Sequence, residues 1–509
     1  MRLSRNACLI IAALIVVAVA AVFLVPCRVQ PTAPAAAPTA SLPLDSTATA
    51  PGGYFSEPVM RDRIAHTRTS PVTIRVTRSG APVAGAEVKL DQVAHDFKFG
   101  CAIPTRRELR DYHCTDAQIA AIYDYIAGFG NCVTPENAFK IQSLSPKEGA
   151  WDFSAADEIA QWCIDHDKTM KIHNLLSLTV PSWLTECSAA ELQTKCCSYA
   201  AAVLARYKDV RLKDGRYLVY AADGFNEAVH GNRDLSPEFI NATFDAMLSA
   251  AKRPGEPIDV LLNEYGLITT EPPTGYMATD DRVRDFADVL IPCFIAKLRD
   301  PSLITIGMQC HPMSTAYSAD DLAATLSKLE AAGIRDVQVT ECMFPSNGDA
   351  ILSPAEGLRR DAMLKAGVTP PPRARYTPES QEKELTDLCR RSFSAPSISA
   401  FILWNLFDRE GETDSTTGNI SWRPKYKEGI ITIALDGAFH PKSAWYSLLH
   451  LMNTEWHTSA TLTTDVKGLA ASRAFYGLYD CTVTVNGAPL TKRLHIEKGR
   501  DNTFEILLP

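Results

Sequence analysis

NCVTPENAFKIQSLSPKEGAWDFSAADEIAQWCIDHDKTMKIHNLL (131–176) holds the fold in miniature. Asn131–Pro135 is a short, apolar, β-prone run. Asp152–His166 then sets apolar residues at i, i+3 and i+4, the spacing of an amphipathic helix, and Met170–Leu176 returns to a β-prone run. The same rhythm extends outward in both directions. Further β-prone runs stand at Phe97–Ile103, Tyr217–Ala222, Ile258–Leu262, Leu303–Met308, Asp336–Thr340 and Ile398–Trp404, with amphipathic stretches such as Glu238–Ala251 and Ala319–Ala332 between them. Eight strand–helix repeats predict an α/β fold, a (β/α)8 TIM barrel over 97–452; a doubly wound sheet is the alternative.

Both ends read differently. Pro71–Leu90 alternates apolar and polar residues around a Ser-Gly-Ala-Pro turn, and Ser459–Leu508 does the same in ATLTTDV, YDCTVTVNGAPL, KRLHIE and FEILL. Neither end has strands enough for a sandwich alone. Together they do, so one small β-sandwich is expected from residues 54–96 and 453–509.

Ahead of these lies a segment outside the fold. Arg2 and Arg5 precede an unbroken apolar run from Ala7 to Val25, close to the ~20 residues that span a bilayer. Residues 1–27 therefore read as a retained membrane anchor or as a long signal peptide, and either reading exports the rest of the chain. Residues 28–53, rich in Pro, Ala and Thr, have nothing to bury and read as a tether.

Composition narrows the function. Of 509 residues 46% are hydrophobic and 22% charged, a globular balance, and the net charge of −8 with no Lys/Arg block argues against nucleic acid as partner. Of fourteen cysteines, Cys8 and Cys27 lie in or beside the apolar segment, leaving twelve downstream without CxxC or Cys/His ligand spacing. No metal and no cofactor is expected, and a monomer is.

In a (β/α)8 barrel the chemistry sits where strands end. There the sequence places Glu136, Asn137 and Lys140, then His173, Asn226-Glu227, Asn263-Glu264-Tyr265, Gln309 and His311, Glu341, and Trp404, Asn405 and Asp408. A polar cup with several carboxylates suits glycoside hydrolysis, which needs one carboxylic acid to protonate the leaving oxygen and a second carboxylate to attack or to activate water. Glu227, Glu264 and Glu341 are rivals for those two roles. Each residue also has a plainer reading: a buried ion pair for a carboxylate, a core histidine satisfied by backbone, a tryptophan in barrel packing.

The chain resembles the family-10 glycoside hydrolases, the endo-β-1,4-xylanase family. ENAFKIQSLSPKEGAWDFSAADEIAQWC (136–163) is similar to that family's E-N-x-M-K-W…P…G-x-F-x-F-x-x-A-D segment. HNLLSLTVPSWL (173–184), DGFNEAV (223–229), LLNEYGL (261–267), IGMQCHP (306–312), VQVTE (337–341), ILWNLFD (402–408) and ALDGAFHPKSAWYSLL (434–449) match its later blocks in order. The resemblance implies Glu227 as general acid/base beside Asn226, and Glu341 as nucleophile oriented by His311, with Gln309 alongside. It implies sugar contacts at Glu136, Asn137, Lys140 and His173, aromatic walls at Trp404 and Trp422, and an orienting role for Glu264. The implied reaction is retaining hydrolysis of xylan, a plant-type β-linked polysaccharide, with carboxyl groups ~5–5.5 Å apart. Departures fall in the sugar cradle: the third block lacks the family's Trp, Ala222 replaces the Trp before Asp223, and Ile141 replaces the Trp of the second block. Another β-linked polysaccharide or oligosaccharide therefore stays open as substrate, as does a non-catalytic, polysaccharide-binding surface protein. The terminal sandwich is expected either to bind carbohydrate or to brace the barrel.

Overall fold

The computed structural model describes residues 53–177, 180–229, 235–267, 287–311, 319–350, 354–413, 419–421 and 424–509. The apolar run Ala7–Val25, the tether up to residue 52 and Trp422 lie outside the described residues. Among those described, no helix is long and apolar enough to cross a membrane.

After a helix over Glu57–Thr67, the chain forms β1 (Thr69–Arg78), β2 (Ala81–Pro82) and β3 (Glu87–His95). Barrel strands come next: β4 (Lys98–Ile103), β5 (Cys132–Pro135), β6 (Thr169–Ile172) with β7 (Leu176–Ser177), β8 (Val219–Asn226), β9 (Asp259–Glu264), β10 (Thr305–Met308), β11 (Asp336–Cys342) and β12 (Ile398–Leu403), followed by a small sheet of β13 (Phe407–Arg409), β14 (Ile431–Ile433) and β15 (Phe439–Pro441). The order of the barrel strands is β6-β5-β4-β12-β11-β10-β9-β8-β7, and β6 also pairs with β8, which closes the sheet. Every pairing around this ring is parallel. The helices expected at 152–166, 238–251 and 319–332 stand at Ser154–Asp165, Pro237–Ala250 and Ala319–Ala331. This is a (β/α)8 barrel, and all eight predicted runs supply its strands.

One run is broken. The sequence predicts a single strand over Met170–Leu176, but the ladder is interrupted between Ile172 and Leu176. There His173 turns its ring to Asp223 on β8, Nδ1 to Oδ2 at 2.7 Å, and the Leu175 amide donates to the Asp223 carbonyl. A buried side-chain bond displaces one stretch of backbone pairing.

The sandwich also forms, from residues 69–95 and 459–508. β16 (Ser459–Thr463), β18 (Gly477–Val485) and β19 (Ala488–Ile496) make one sheet with β3; β17 (Leu469–Phe475) and β20 (Thr503–Leu508) make the other with β1 and β2. Val72, Ile74, Val76, Val88, Leu90, Tyr479, Cys481, Val483, Ile496 and Ile506 fill the space between. The antiparallel pairing expected over 71–90 is confined to the turn, where β1 meets the two-residue β2; beyond it the chain crosses to the other sheet to form β3. β1 lies antiparallel to β17 and parallel to β20.

Aromatic packing locks the sandwich to the barrel. His95, at the end of β3, sits edge-on to Phe99, Phe393 and Phe475, and Trp456 stacks on Phe99 and Phe393. The Arg68 guanidinium lies 4.8 Å over Phe97 and donates to the carbonyls of Phe393, Ala395 and Ile398. The twelve cysteines from Cys101 to Cys481 are free thiols, nine of them buried, where they pack as small hydrophobes.

Candidate active site

Side chains from seven successive barrel-strand ends, β5 to β12, converge. Glu341, one residue before the end of β11, is buried and accepts two hydrogen bonds: Asn263 Nδ2 to Oε1 at 2.8 Å and His311 Nε2 to Oε2 at 3.0 Å. Burial works against its charge, but the His311 bond and the nearby His173, His311 and Lys171 outweigh it. Together they hold the Glu341 carboxyl down at about 2. An ionised carboxylate accepts only, so His311 carries its proton on Nε2.

Glu227 comes directly after β8 with φ of +57°, a left-handed turn that re-aims the chain at the strand end. Its own amide donates to the Asn263 carbonyl, and the Val229 amide, two residues on, donates to Glu264 Oε1 at 2.7 Å. Glu264 is fully buried and holds the turn that presents Glu227, which separates it from the other two carboxylates. Gln309 Nε2 donates to Glu227 Oε1 at 3.0 Å and to Asn226 Oδ1 at 3.3 Å. Asn263 Nδ2 donates to that same Asn226 oxygen at 2.8 Å. A continuous path therefore runs from Glu227 through Gln309, Asn226 and Asn263 to Glu341. Thr340 Oγ1 donates to Asn263 Oδ1 at 2.6 Å and fixes the amide at its centre.

Behind this path stands a buried charge relay. Lys171 Nζ donates to both oxygens of Asp223, at 3.0 and 2.8 Å, with both side chains fully buried. Asp223 Oδ2 also accepts a hydrogen bond from His173 Nδ1, and the His173 and Trp404 rings meet edge-on with centroids 5.0 Å apart. His173 Nδ1 lies 3.8 Å from Glu341 Oε1. His173, Asp223 and Glu341 bring potential metal-ligand atoms within 4.8 Å of one another. The Lys171 ammonium already neutralises Asp223, so the charge a cation would supply is built into the chain.

The third group lies after β5. Lys140 Nζ donates to Asn137 Oδ1 at 2.6 Å, and Asn137 Nδ2 donates to Glu108 Oε1 at 2.5 Å. Glu136 keeps a partly open face, yet protein around its carboxyl, then the charges of Glu108 and Glu341, push it up to about 8 against the pull of Lys140. At neutral pH it carries a proton and can donate as well as accept.

The structure thus gathers Glu136, Asn137, Lys140, His173, Asn226, Glu227, Gln309, His311, Glu341 and Trp404 around one end of the barrel; Trp422 lies outside the described residues. Five members of the network are absent from the sequence-based set: Asp223, Thr340, Asn263, Lys171 and Glu108. Asn263 is visible at a strand end but carries no role there, Lys171 sits within a β-prone run, and Glu108 precedes the second strand altogether.

The family model for glycosyl hydrolase family 10 matches residues 90–450. Endo-1,4-beta-xylanase C of Phanerodontia chrysosporium is 27% identical over 235 residues, which are 45% of this chain and 53% of that protein. Endo-1,4-beta-xylanase A of Thermoanaerobacterium saccharolyticum is 26% identical over 331 residues, 61% of this chain and 24% of that protein. The match thus spans about half of the first relative and a quarter of the second. A crystal structure of an intracellular xylanase from Thermoanaerobacterium saccharolyticum aligns at a TM-score of 0.48 and 22% identity, covering 69% of this chain and 95% of that one. With some seven-tenths of its length matched by the family model, across the barrel and every residue of the network, the chain belongs to glycosyl hydrolase family 10.

Proposed function

We propose that this protein is an exported, retaining endo-β-1,4-xylanase. The observation that carries the reading is the pairing of an ionised, buried Glu341 with Glu227 along one path of amides. A carboxylate held ionised in a site from which water is largely excluded is a nucleophile in waiting, and its donors fix the attacking oxygens in place.

The reaction proceeds in two displacements. Glu341 attacks the anomeric carbon of the sugar at the cleavage point, while Glu227 gives its proton to the departing glycosidic oxygen. The shorter chain leaves with that proton, and the glycosyl unit remains as an ester on Glu341. Glu227, now a carboxylate, removes a proton from water, which attacks the same carbon and releases Glu341. Gln309 donates to Glu227 and holds it through both roles. Asn226, fixed by two donors on its oxygen, is the group for the sugar 2-hydroxyl. Glu136, Asn137, Lys140 and His173 bind hydroxyls on the non-reducing side, and Trp404 forms an apolar wall there.

Export rests on Arg2, Arg5 and the apolar run directly after them. Once the chain has folded, nine of the twelve downstream thiols are buried and out of reach of mispairing. The aromatic junction supports a bracing role for the sandwich.

The test is release of reducing ends from xylan, arabinoxylan, β-glucan, mannan and cellulose, by the wild type and by Glu341→Ala. Release from xylans that vanishes in the variant is expected. Release from another polymer alone would move the substrate, and binding without any release would overturn the activity.

A further inference from the structure

Glu108 lies on the short helix Arg106–Asp111 and takes part in a capping box with Thr105: its Oε2 accepts from the Thr105 amide and hydroxyl at 2.7 and 2.8 Å. That task occupies one oxygen only. Helix Asp116–Ala127 next along the chain builds the same box with Gln118 on Thr115, so an amide caps here as well as a carboxylate. The cap alone does not call for a charge at Glu108.

Its other oxygen reaches the end of the second barrel strand and accepts from Asn137 Nδ2. A carboxylate only accepts and an ammonium only donates. Glu108 on one side and Lys140 on the other therefore permit a single orientation of the Asn137 amide, nitrogen toward Glu108 and oxygen toward Lys140. One N–H and one lone pair of that amide remain, the complement of a sugar hydroxyl that both accepts and donates. We propose that Glu108 is a positioning residue for the non-reducing side of the cleft, fixing the Asn137 amide and, through it, Lys140, so that the pair recognises pyranose hydroxyls beyond the cleavage point. The inference rests on the proposed glycanase reading and adds to it a residue that need never touch substrate.

Glu108→Gln separates the two tasks. Glutamine can keep the cap with its oxygen, as Gln118 does, but then turns an NH2 toward Asn137. The Asn137 amide must either face another donor or flip and present its own NH2 to Lys140. With an aryl β-xylobioside as substrate, the full-length Glu108→Gln protein should show KM raised about tenfold, the scale of one charge-assisted hydrogen bond, with kcat changed less than about twofold. Its melting temperature should stay within about 2 °C of wild type. In an Asn137→Ala background, Glu108→Gln should add less than about twofold, since a double-mutant cycle isolates the shared interaction. An unchanged KM, or the same loss with and without Asn137, would overturn the proposal. Calorimetric binding of xylotriose to the same cycle built on Glu341→Ala reads it as Kd, so a wild type without turnover would sink the activity and still decide this role.

Discussion

A methyl group on Gly307 would lie 2.3 Å from Asn263 Oδ1 and 3.1 Å from its Cα. Gly307 on β10 pairs with Asn263 on β9, and the missing side chain is the space into which the Asn263 amide folds. That amide cannot simply swing aside, because Thr340 holds its oxygen while its nitrogen serves Asn226 and Glu341. Gly307→Ala should therefore displace the donor to Glu341. Misplacement by about 1 Å can cost about 10²-fold in rate, so kcat/KM on xylan is expected to fall by about that factor while the protein remains folded by circular dichroism.

Glu227→Ala tests the division of labour between the two carboxylates. General acid catalysis supplies about 10²–10⁴-fold, and a leaving group that needs no proton does not draw on it. Loss on xylan should reach that range, whereas glycosylation by a dinitrophenyl β-xylobioside, read as the burst of dinitrophenol, should survive. Equal loss on both substrates would assign the acid elsewhere.

The pair formed by Lys171 and Asp223 is fully buried, so removing one partner strands a charge in the barrel. Lys171→Met should cost about 3–5 kcal/mol in urea unfolding. Adding Asp223→Leu should recover part of that stability yet leave xylan hydrolysis impaired, because His173 loses the acceptor of its Nδ1 proton. Recovery of activity along with stability would deny the pair a place in the site.

His95 supplies the pH dependence of the junction. Burial first, then the charge of His457, lower it to about 4 from an ordinary value near 6.5. Between those values the unfolded chain binds the proton and the folded one does not, so the His95 contribution falls as pH drops from 6.5 to 4, by about 3 kcal/mol at most. Asp259 and Asp336, both pushed up mainly by burial, act in the opposite sense: their stabilisation belongs to low pH and is lost as pH rises through their raised range. The readout is a difference: His95→Leu should lose less stability than wild type on going from pH 6.5 to pH 4. Parallel unfolding curves at both pH values would remove His95 from the account.

The eight barrel strands were legible because each is an apolar run flanked by polar helix. The polar end of the barrel was legible too, since polar residues that close such runs have few structural reasons to be there. What escaped has physical causes. LAASRAF (469–475) forms β17, yet its inward residues Ala470 and Ala474 are small and give no period-two contrast. Lys171 sits between Met170 and Ile172 and reads as an outward residue until Asp223, 52 positions away, is seen to neutralise it. Asn263 gains its role only from Thr340, Asn226 and Glu341, three contacts made across neighbouring strands. Glu108 satisfies a local helix signal so well that nothing local hints at its second bond.

Residues 69–95 and 459–508 meet in one sandwich, and that arrangement has a consequence for biosynthesis. β3 takes its two neighbours, β16 and β18, from the C-terminal segment, and β1 keeps only the two-residue β2 until β17 and β20 arrive. About 360 residues must emerge between His95 and Ser459, which at ribosomal rates takes roughly 20–70 s. Throughout that interval two apolar strands present bare edges of the kind that nucleate aggregation. Under the export proposed above, carriers that hold the chain unfolded until residues 459–508 are across would decouple the order of synthesis from the order of assembly. A truncation before residue 459 should harm yield far more than its distance from the candidate active site suggests.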